Sequence, residues 1–292
     1  MKGIFITIVL MLLSVCPIHA QTKLALLIGI SEYTKDDTKT NDDTWSNIHG
    51  VNDVELLSET LKKQGFNIAT LCDKAATATK IRKALKKLAS SCNEGNLVYI
   101  HFSCHGQPVE DLDGDEPEGW DEALVPVDAS KVYQAGVYEG KNHIIDDELN
   151  EYLRAIRTKV GKEGFVYTVI DACHAGSSYR GDEEVIVTRG TNRGFTASNK
   201  PFVPRIDKRG RIRIEKSEEM SDICILEACR SYQLNSEIQE NGVYYGSLSY
   251  YINQVFQTMQ LDKDIIWTNK VSRLMNEDIR LVRQNIVIES SL

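Results

Sequence analysis

The stretch Phe165-Val166-Tyr167-Thr168-Val169-Ile170-Asp171-Ala172-Cys173-His174-Ala175-Gly176 decides the fold. It begins as an apolar run of strand length, rich in β-branched and aromatic residues, and ends on an acid, a thiol and a glycine. A run of this kind reads as a strand covered on both faces, the habit of parallel sheets. Leu97-Val98-Tyr99-Ile100-His101-Phe102-Ser103-Cys104-His105-Gly106 has the same form. Ligand sites of open parallel sheets lie beyond the carboxyl ends of the strands, so Cys173 and His105 are expected to meet there. A thiol beside an imidazole is the equipment of a cysteine hydrolase.

Outward from these runs, strand and helix patterns alternate. Leu24 to Ile30 is a further continuous apolar run. Val51, Val54, Leu57 and Leu61 recur at helical spacing before a stop at Gly65. Asn67 to Cys72 is short and strand-like, and Thr77 or Thr79 can cap a helix carrying Ile81, Ala84, Leu85 and Leu88. Leu149, Leu153 and Ile156 predict a helix leading into the Cys173 strand. Ile223 to Leu226 reads as a strand, followed by helical patterns over Leu248 to Phe256 and Ile265 to Leu281, and Ile286 to Ile288 as a last short strand. The βαβα order predicts an α/β fold with a mostly parallel central sheet flanked by helices on both faces.

The first twenty residues stand apart: Lys2, an apolar stretch from Ile4 to Val15, then Pro17-Ile18-His19-Ala20. That is the layout of a signal peptide cleaved after Ala20, so the chain is expected to be exported, periplasmic or extracellular, without a stable membrane anchor. Residues 21–292 then form one domain. The formal charge of −8 and local crowding of acids argue against a nucleic-acid surface and favour basic substrates or a divalent cation. Of the six cysteines after residue 20, Cys104, Cys173, Cys224 and Cys229 sit in or beside strand-like runs and read as buried free thiols, which leaves Cys72 and Cys92 as the candidates for a bridge.

A peptide hydrolase of this type needs a nucleophile, a base and donors for the tetrahedral oxyanion. Cys173 fits the first, His105 the second, and the backbone N–H groups of Gly106 and Cys173 the third. The motifs around them are specific when taken together. Gly50-Val51-Asn52-Asp53-Val54, Ser103-Cys104-His105-Gly106, Asp111-Leu112-Asp113-Gly114-Asp115-Glu116, Gly119-Trp120-Asp121-Glu122, Val125-Pro126-Val127-Asp128, Ile145-Asp146-Asp147-Glu148 and Asp171-Ala172-Cys173-His174 resemble the metacaspases, caspase-like cysteine peptidases, in their bacterial or type I pattern. The resemblance implies a caspase-like α/β sandwich with a His105/Cys173 dyad and no cofactor required for the chemistry. It also implies protein or peptide substrates with Arg or Lys at P1, held by Asp53 and Asp171 in the S1 pocket. A carboxylate pair binds a guanidinium in a charge-assisted way.

Nine acids and no base lie between Glu110 and Asp128. Such crowding favours a hard cation, and the resemblance implies Ca²⁺ as an activator on Asp121, Asp146 and Asp147. The family's further acid is replaced here by Arg180, and Cys104 and Ala175 stand where glycine and serine are usual. A second thiol beside His105 raises a Cys104 to Cys173 disulfide or oxidative control.

Between Arg189 and Lys216 are nine basic residues against two acids. The domain therefore divides into a large-subunit-like part (21–180), a basic flexible linker (181–221) and a small-subunit-like part (222–292). The linker is an expected substrate of the enzyme itself, with Arg189, Arg193, Lys200, Arg205, Lys208 and Arg209 as candidate cleavage positions. A clostripain- or gingipain-like Arg/Lys peptidase is the alternative within the clan. Outside enzymes, the alternative is a silent caspase-like module that binds calcium and a protein partner.

Overall fold

The computed structural model describes residues 21–34, 43–114, 116–173, 187–204, 206, 212–281 and 283–292. The signal-like residues 1–20 lie outside this set, as do Arg180, Arg205, Lys208 and Arg209. No described helix is long and apolar enough to cross a membrane.

A six-stranded sheet forms the centre. In chain order its strands are β1 (Lys23–Gly29), β2 (Phe66–Cys72), β3 (Leu97–Ser103), β7 (Phe165–Asp171), β8 (Asp222–Glu227) and β11 (Val287–Ser290). They lie in the order β11-β8-β7-β3-β1-β2, parallel throughout except for β11, which runs antiparallel to β8. The helices are α1 (Gly50–Lys63), α2 (Ala78–Ser91), α3 (Asp146–Val160), α4 (Ser247–Phe256) and α5 (Ile266–Glu277). The expected mostly parallel sheet with helices on both faces is what the chain forms.

Strand alternation sorts the core into two layers. Leu26, Ile28, Val98, Ile100, Phe102, Val166, Ile170, Ile223 and Ile225 pack with Ile81 and Leu85 of α2 and Leu149, Leu153 and Ile156 of α3. Their neighbours along the strands, among them Leu27, Leu97, Tyr99, Tyr167, Val169 and Leu226, pack with α1, α4 and α5. A slip of one residue would exchange the two faces of a strand. Each fully buried aliphatic side chain contributes about 1.5–3 kcal/mol, so the register is firmly held.

Two smaller sheets escaped the sequence reading. β4 (His105–Glu110), β5 (Trp120–Val125) and β6 (Ile144–Ile145) form an antiparallel sheet with β4 at its edge, in what reads as a polar excursion. β9 (Glu237–Glu240) and β10 (Val243–Gly246) form a hairpin. The six cysteines of the described chain are all free thiols, so the Cys72–Cys92 bridge and the Cys104–Cys173 disulfide are both absent. Cys104 joins the α2/α3 core layer, whereas the partner in contact with Cys173 is Cys229.

Within the segment expected as a flexible linker, residues 187–191 and Phe195 are buried or half-buried, while most of the other described residues are exposed. Arg189, Phe195 and Ile212 are all buried. They are isolated among polar residues, so no periodicity announced their burial.

Candidate active site

β3 and β7 are neighbours in parallel register, with Ser103 opposite Asp171. Their carboxyl ends therefore deliver Ser103-Cys104-His105 and Asp171-Ala172-Cys173 side by side. Both His105 and Cys173 are buried.

The imidazole of His105 is oriented by backbone and rings rather than by a carboxylate. Its Nε2 lies 2.8 Å from the Ser46 carbonyl oxygen, which fixes the proton on that nitrogen. Its Nδ1 is buried without a hydrogen-bond partner, leaving a lone pair free to take a proton. Trp45 stacks on the ring at a centroid distance of 4.9 Å and Tyr33 lies at the same distance, tilted. Tyr33 Oη also accepts the His105 backbone N–H at 2.9 Å. Burial pushes the His105 pKa down to about 4, so the ring is neutral in this state. The Cys173 thiol donates to the Gln233 carbonyl at 2.7 Å.

Arg189 lies across these two residues. Its carbonyl oxygen accepts the backbone N–H of Cys173 at 2.9 Å and that of Gly106 at 3.2 Å. These are the two N–H groups expected to serve an oxyanion, and they converge on one carbonyl. The Arg189 N–H donates to Asn235 O at 3.1 Å, Thr188 forms an antiparallel bridge with Ser236, and Glu237 N–H donates to Val187 O at 2.9 Å. Residues 187–189 thus pair as a strand against the segment leading into β9.

The guanidinium of Arg189 enters a closed acidic cavity. Nη1 donates to Asp53 Oδ2 and to Ser103 Oγ, both at 2.6 Å, and Ser103 Oγ donates in turn to Asp53 at 2.6 Å. Asp171 Oδ1 is 3.6 Å from the same nitrogen. Nε and Nη2 both donate to Glu237 Oε1, at 3.1 and 2.9 Å. The acids are themselves held. Gly246 N–H donates to Asp53, Asn235 and Ser249 donate to Asp171, and His49 binds Glu237 through both its backbone N–H and its ring.

Charge explains the titration of this cluster. Burial alone would lower the Arg189 pKa, but the fields of Asp53, Asp171 and Glu237 overcome it and hold the guanidinium charged. Burial pushes the Asp53 carboxyl up to about 7, with Arg189 pulling against it and Asp171 adding to it. Burial also opposes the Glu237 carboxylate, yet Arg189 and the His49 hydrogen bonds leave its pKa below the ordinary value.

Asp53 and Asp171, singled out in the sequence, are therefore brought together around one guanidinium. Glu237, Ser103, Asn235 and Ser249 complete the cavity and were missed, as were the Ser46 carbonyl and the Trp45 ring beside His105. Asn241-Gly242, the strongest short hairpin signal, stands between β9 and β10 with φ of 51° and 83°; it could have placed Glu237 on a hairpin. Of the other candidate cleavage residues, Arg193 pairs with Asp43 and Lys200 lies over Trp120, both away from the cavity.

Asp121 lies on β5, while Asp146 and Asp147 open α3, where the helix dipole favours negative charge. Burial, then Glu122, Asp121 and Asp147, push the Asp146 carboxyl well above the usual range. Among the described residues no group of three or more His, Cys, Asp or Glu side chains is gathered around one point.

The profile of the caspase domain family, peptidase C14, matches residues 22–286. Metacaspase-1 of Eremothecium gossypii is 32% identical over 166 residues, covering 53% of this chain and 32% of that protein. Metacaspase-1 of Schizosaccharomyces pombe is 25% identical over 300 residues, covering 86% of this chain and 65% of that protein. This chain thus spans about a third of the first relative's length and just under two thirds of the second's. In fold, the chain is similar to a protein of Geobacter sulfurreducens, with a TM-score of 0.62, 19% identity and coverage of 92% of this chain and 93% of that one. It is also similar to Caspase-1 of Spodoptera frugiperda, with a TM-score of 0.52, 14% identity and coverage of 94% and 89%.

Proposed function

Since the chain belongs to the caspase-domain family, peptidase C14, we propose that it is a cysteine endopeptidase that cuts proteins after Arg or Lys and first cuts itself at Arg189–Gly190. One observation carries this reading. The Arg189 carbonyl oxygen is held by two converging N–H groups while its guanidinium sits among Asp53, Asp171 and Glu237. That is the pose of a bound substrate, occupied by the chain's own residue.

The chemistry follows from these positions. The Cys173 thiol gives its proton to His105 Nδ1 as Sγ bonds to the Arg189 carbonyl carbon. Negative charge grows on the carbonyl oxygen, where the N–H groups of Gly106 and Cys173 already point. His105 then gives the proton to the Gly190 nitrogen, and the C–N bond breaks to leave a thioester. Water, deprotonated by His105, hydrolyses the thioester and restores the thiol. Uncut, the chain is its own competitive occupant, a zymogen whose pocket clears when residues 187–189 withdraw.

Calcium stimulation is supported by charge alone: the burial of Asp146 beside Asp121, Glu122 and Asp147 is relieved by a cation. Export is supported by the order of residues 1–20. Sequencing the amino terminus of the secreted chain would test it, with Gln21 as the expected first residue.

The self-cleavage reading is tested by incubating the wild-type chain, Cys173→Ala and Arg189→Ala, then sequencing the amino terminus of any small fragment. The wild type is expected to yield Gly190-Thr191-Asn192, and both variants to lack that fragment. A wild-type fragment that starts elsewhere, or equal nicking in Cys173→Ala, would overturn it.

A further inference from the structure

Beyond Arg189 the chain continues along β4 rather than leaving the site. Gly190 bridges Gly106 and Phe195 bridges Val109, both in parallel sense. β4 is the edge of its small sheet, so this segment is an added strand. The Phe195 N–H donates to Pro108 O at 2.8 Å, and its carbonyl accepts from Glu110 N–H at 3.0 Å. Between the two bridges the segment bulges, and Gln107 Nε2 holds the bulge through the Arg193 carbonyl at 3.0 Å.

Past the bulge the Phe195 ring is 3% exposed and sits in an aromatic pocket. Its centroid lies 5.6 Å from those of Tyr133 and Tyr138 and 4.6 Å from that of His143. The pocket is built rather than incidental. Tyr138 Oη meets His143 Nδ1 at 3.1 Å, and the fully buried Gln107 meets His143 Nε2 at 2.9 Å. At the near end, a Cβ added to Gly190 would collide with the Cys173 carbonyl. Main-chain pairing to an exposed edge with a pocket for one side chain is how sheets recognise peptides.

We propose that this surface is a primed-side exosite for protein substrates. It takes the chain after the cut as a parallel strand on β4, favours glycine directly after the cut, and receives an aromatic side chain six residues beyond it. The proposal rests on Arg189–Gly190 being the substrate-like bond. The chain's own segment shows the path, and a substrate follows it once that segment withdraws.

The test uses the self-processed wild type and a self-processed Phe195→Ala chain, whose own anchor no longer competes. Each is given a peptide of residues 187–198, the same peptide with Phe195→Ala, the same peptide with Gly190→Ala, and a short arginine reporter with no residues after the cut. Cleavage at the first Arg–Gly bond, or its Arg–Ala counterpart, is followed by mass spectrometry. Relative to the parent peptide, kcat/KM is expected to fall about tenfold for the Phe195→Ala peptide, the scale of burying one phenylalanine ring, and also for the Gly190→Ala peptide. In a Tyr133→Ala enzyme the ratio of kcat/KM for the parent peptide to that for the Phe195→Ala peptide should move toward one, a ratio that cancels any loss of folded enzyme. Equal cleavage of all three peptides, with the reporter also cut, overturns the exosite but leaves the arginine preference standing. Failure of the reporter itself overturns the arginine reading, and the exosite with it.

Discussion

Arg189 Nη1 lies 2.6 Å from Asp53 Oδ2, and neither side chain is exposed to solvent. An ion pair sealed in this way is costly to break from one side, because the partner is left charged and buried. The uncut chain is therefore expected to be locked by the residue before its proposed cut.

The lock predicts a stability difference that is separable from catalysis. In a Cys173→Ala background, which cannot cut, Arg189→Ala should lose about 3–5 kcal/mol of unfolding free energy by urea titration. An unchanged midpoint would mean that the cavity tolerates its acids without a guanidinium.

Glu237 predicts the choice between arginine and lysine. It receives both Nε and Nη2 of Arg189, a fork that lysine does not possess. Charge-assisted hydrogen bonds contribute about 1.5–3 kcal/mol each. Glu237→Gln should therefore lower kcat/KM for arginine reporters by about tenfold or more, with a smaller loss for lysine reporters. Equal losses would remove Glu237 as the discriminating group.

Asp53 predicts the pH profile. Its carboxyl is raised to about 7 with a guanidinium in place, so the neutral form dominates below that pH and the anion above it. Without the guanidinium the pulling charge is gone, and the carboxyl titrates higher still. For arginine reporters kcat/KM should climb as pH rises through about 7 and beyond. The limb should vanish in Asp53→Asn, whatever activity is left. In the uncut chain burial pushes His105 down to about 4, so there it is neutral over this range. A wild-type profile flat through that region would refute the assignment.

Asp146 predicts how the fold responds to calcium. Its buried carboxyl is strained by Glu122, Asp121 and Asp147. In chelator, Asp146→Asn should melt at or above the wild-type temperature. Added calcium should raise the melting temperature of the wild type and leave the variant unmoved. A wild type indifferent to calcium, in melting and in peptide hydrolysis, would end the proposal of calcium control.

What was legible in the sequence was whatever is buried on two faces. β1, β3, β7 and β8 are unbroken apolar runs because both sheet faces are covered, and their ends located His105 and Cys173 without any knowledge of side-chain contacts. β4 and β5 were illegible for the opposite reason. Pro108 and Gly106 interrupt β4, and acids fill its surroundings, so the strand looks like loop. Glu237 was hidden because a buried acid and a solvated one are written with the same letter. Arg189 stood among six basic candidates in one segment, and only tertiary packing separates it from Arg193 and Lys200.

The cavity around Arg189 is assembled from distant parts of the chain. Asp53, Ser103 and Asp171 precede Arg189 in the chain, whereas Asn235, Glu237, Gly246 and Ser249 follow it. A ribosome therefore finishes the nucleophile, the base and the target arginine well before it has made the residues that grip that arginine. Under the proposed self-cleavage, synthesis itself acts as a timer: a chain made only through Gly190 carries every reacting group but not the residues that present the bond, so the cut waits until the chain through Ser249 is made.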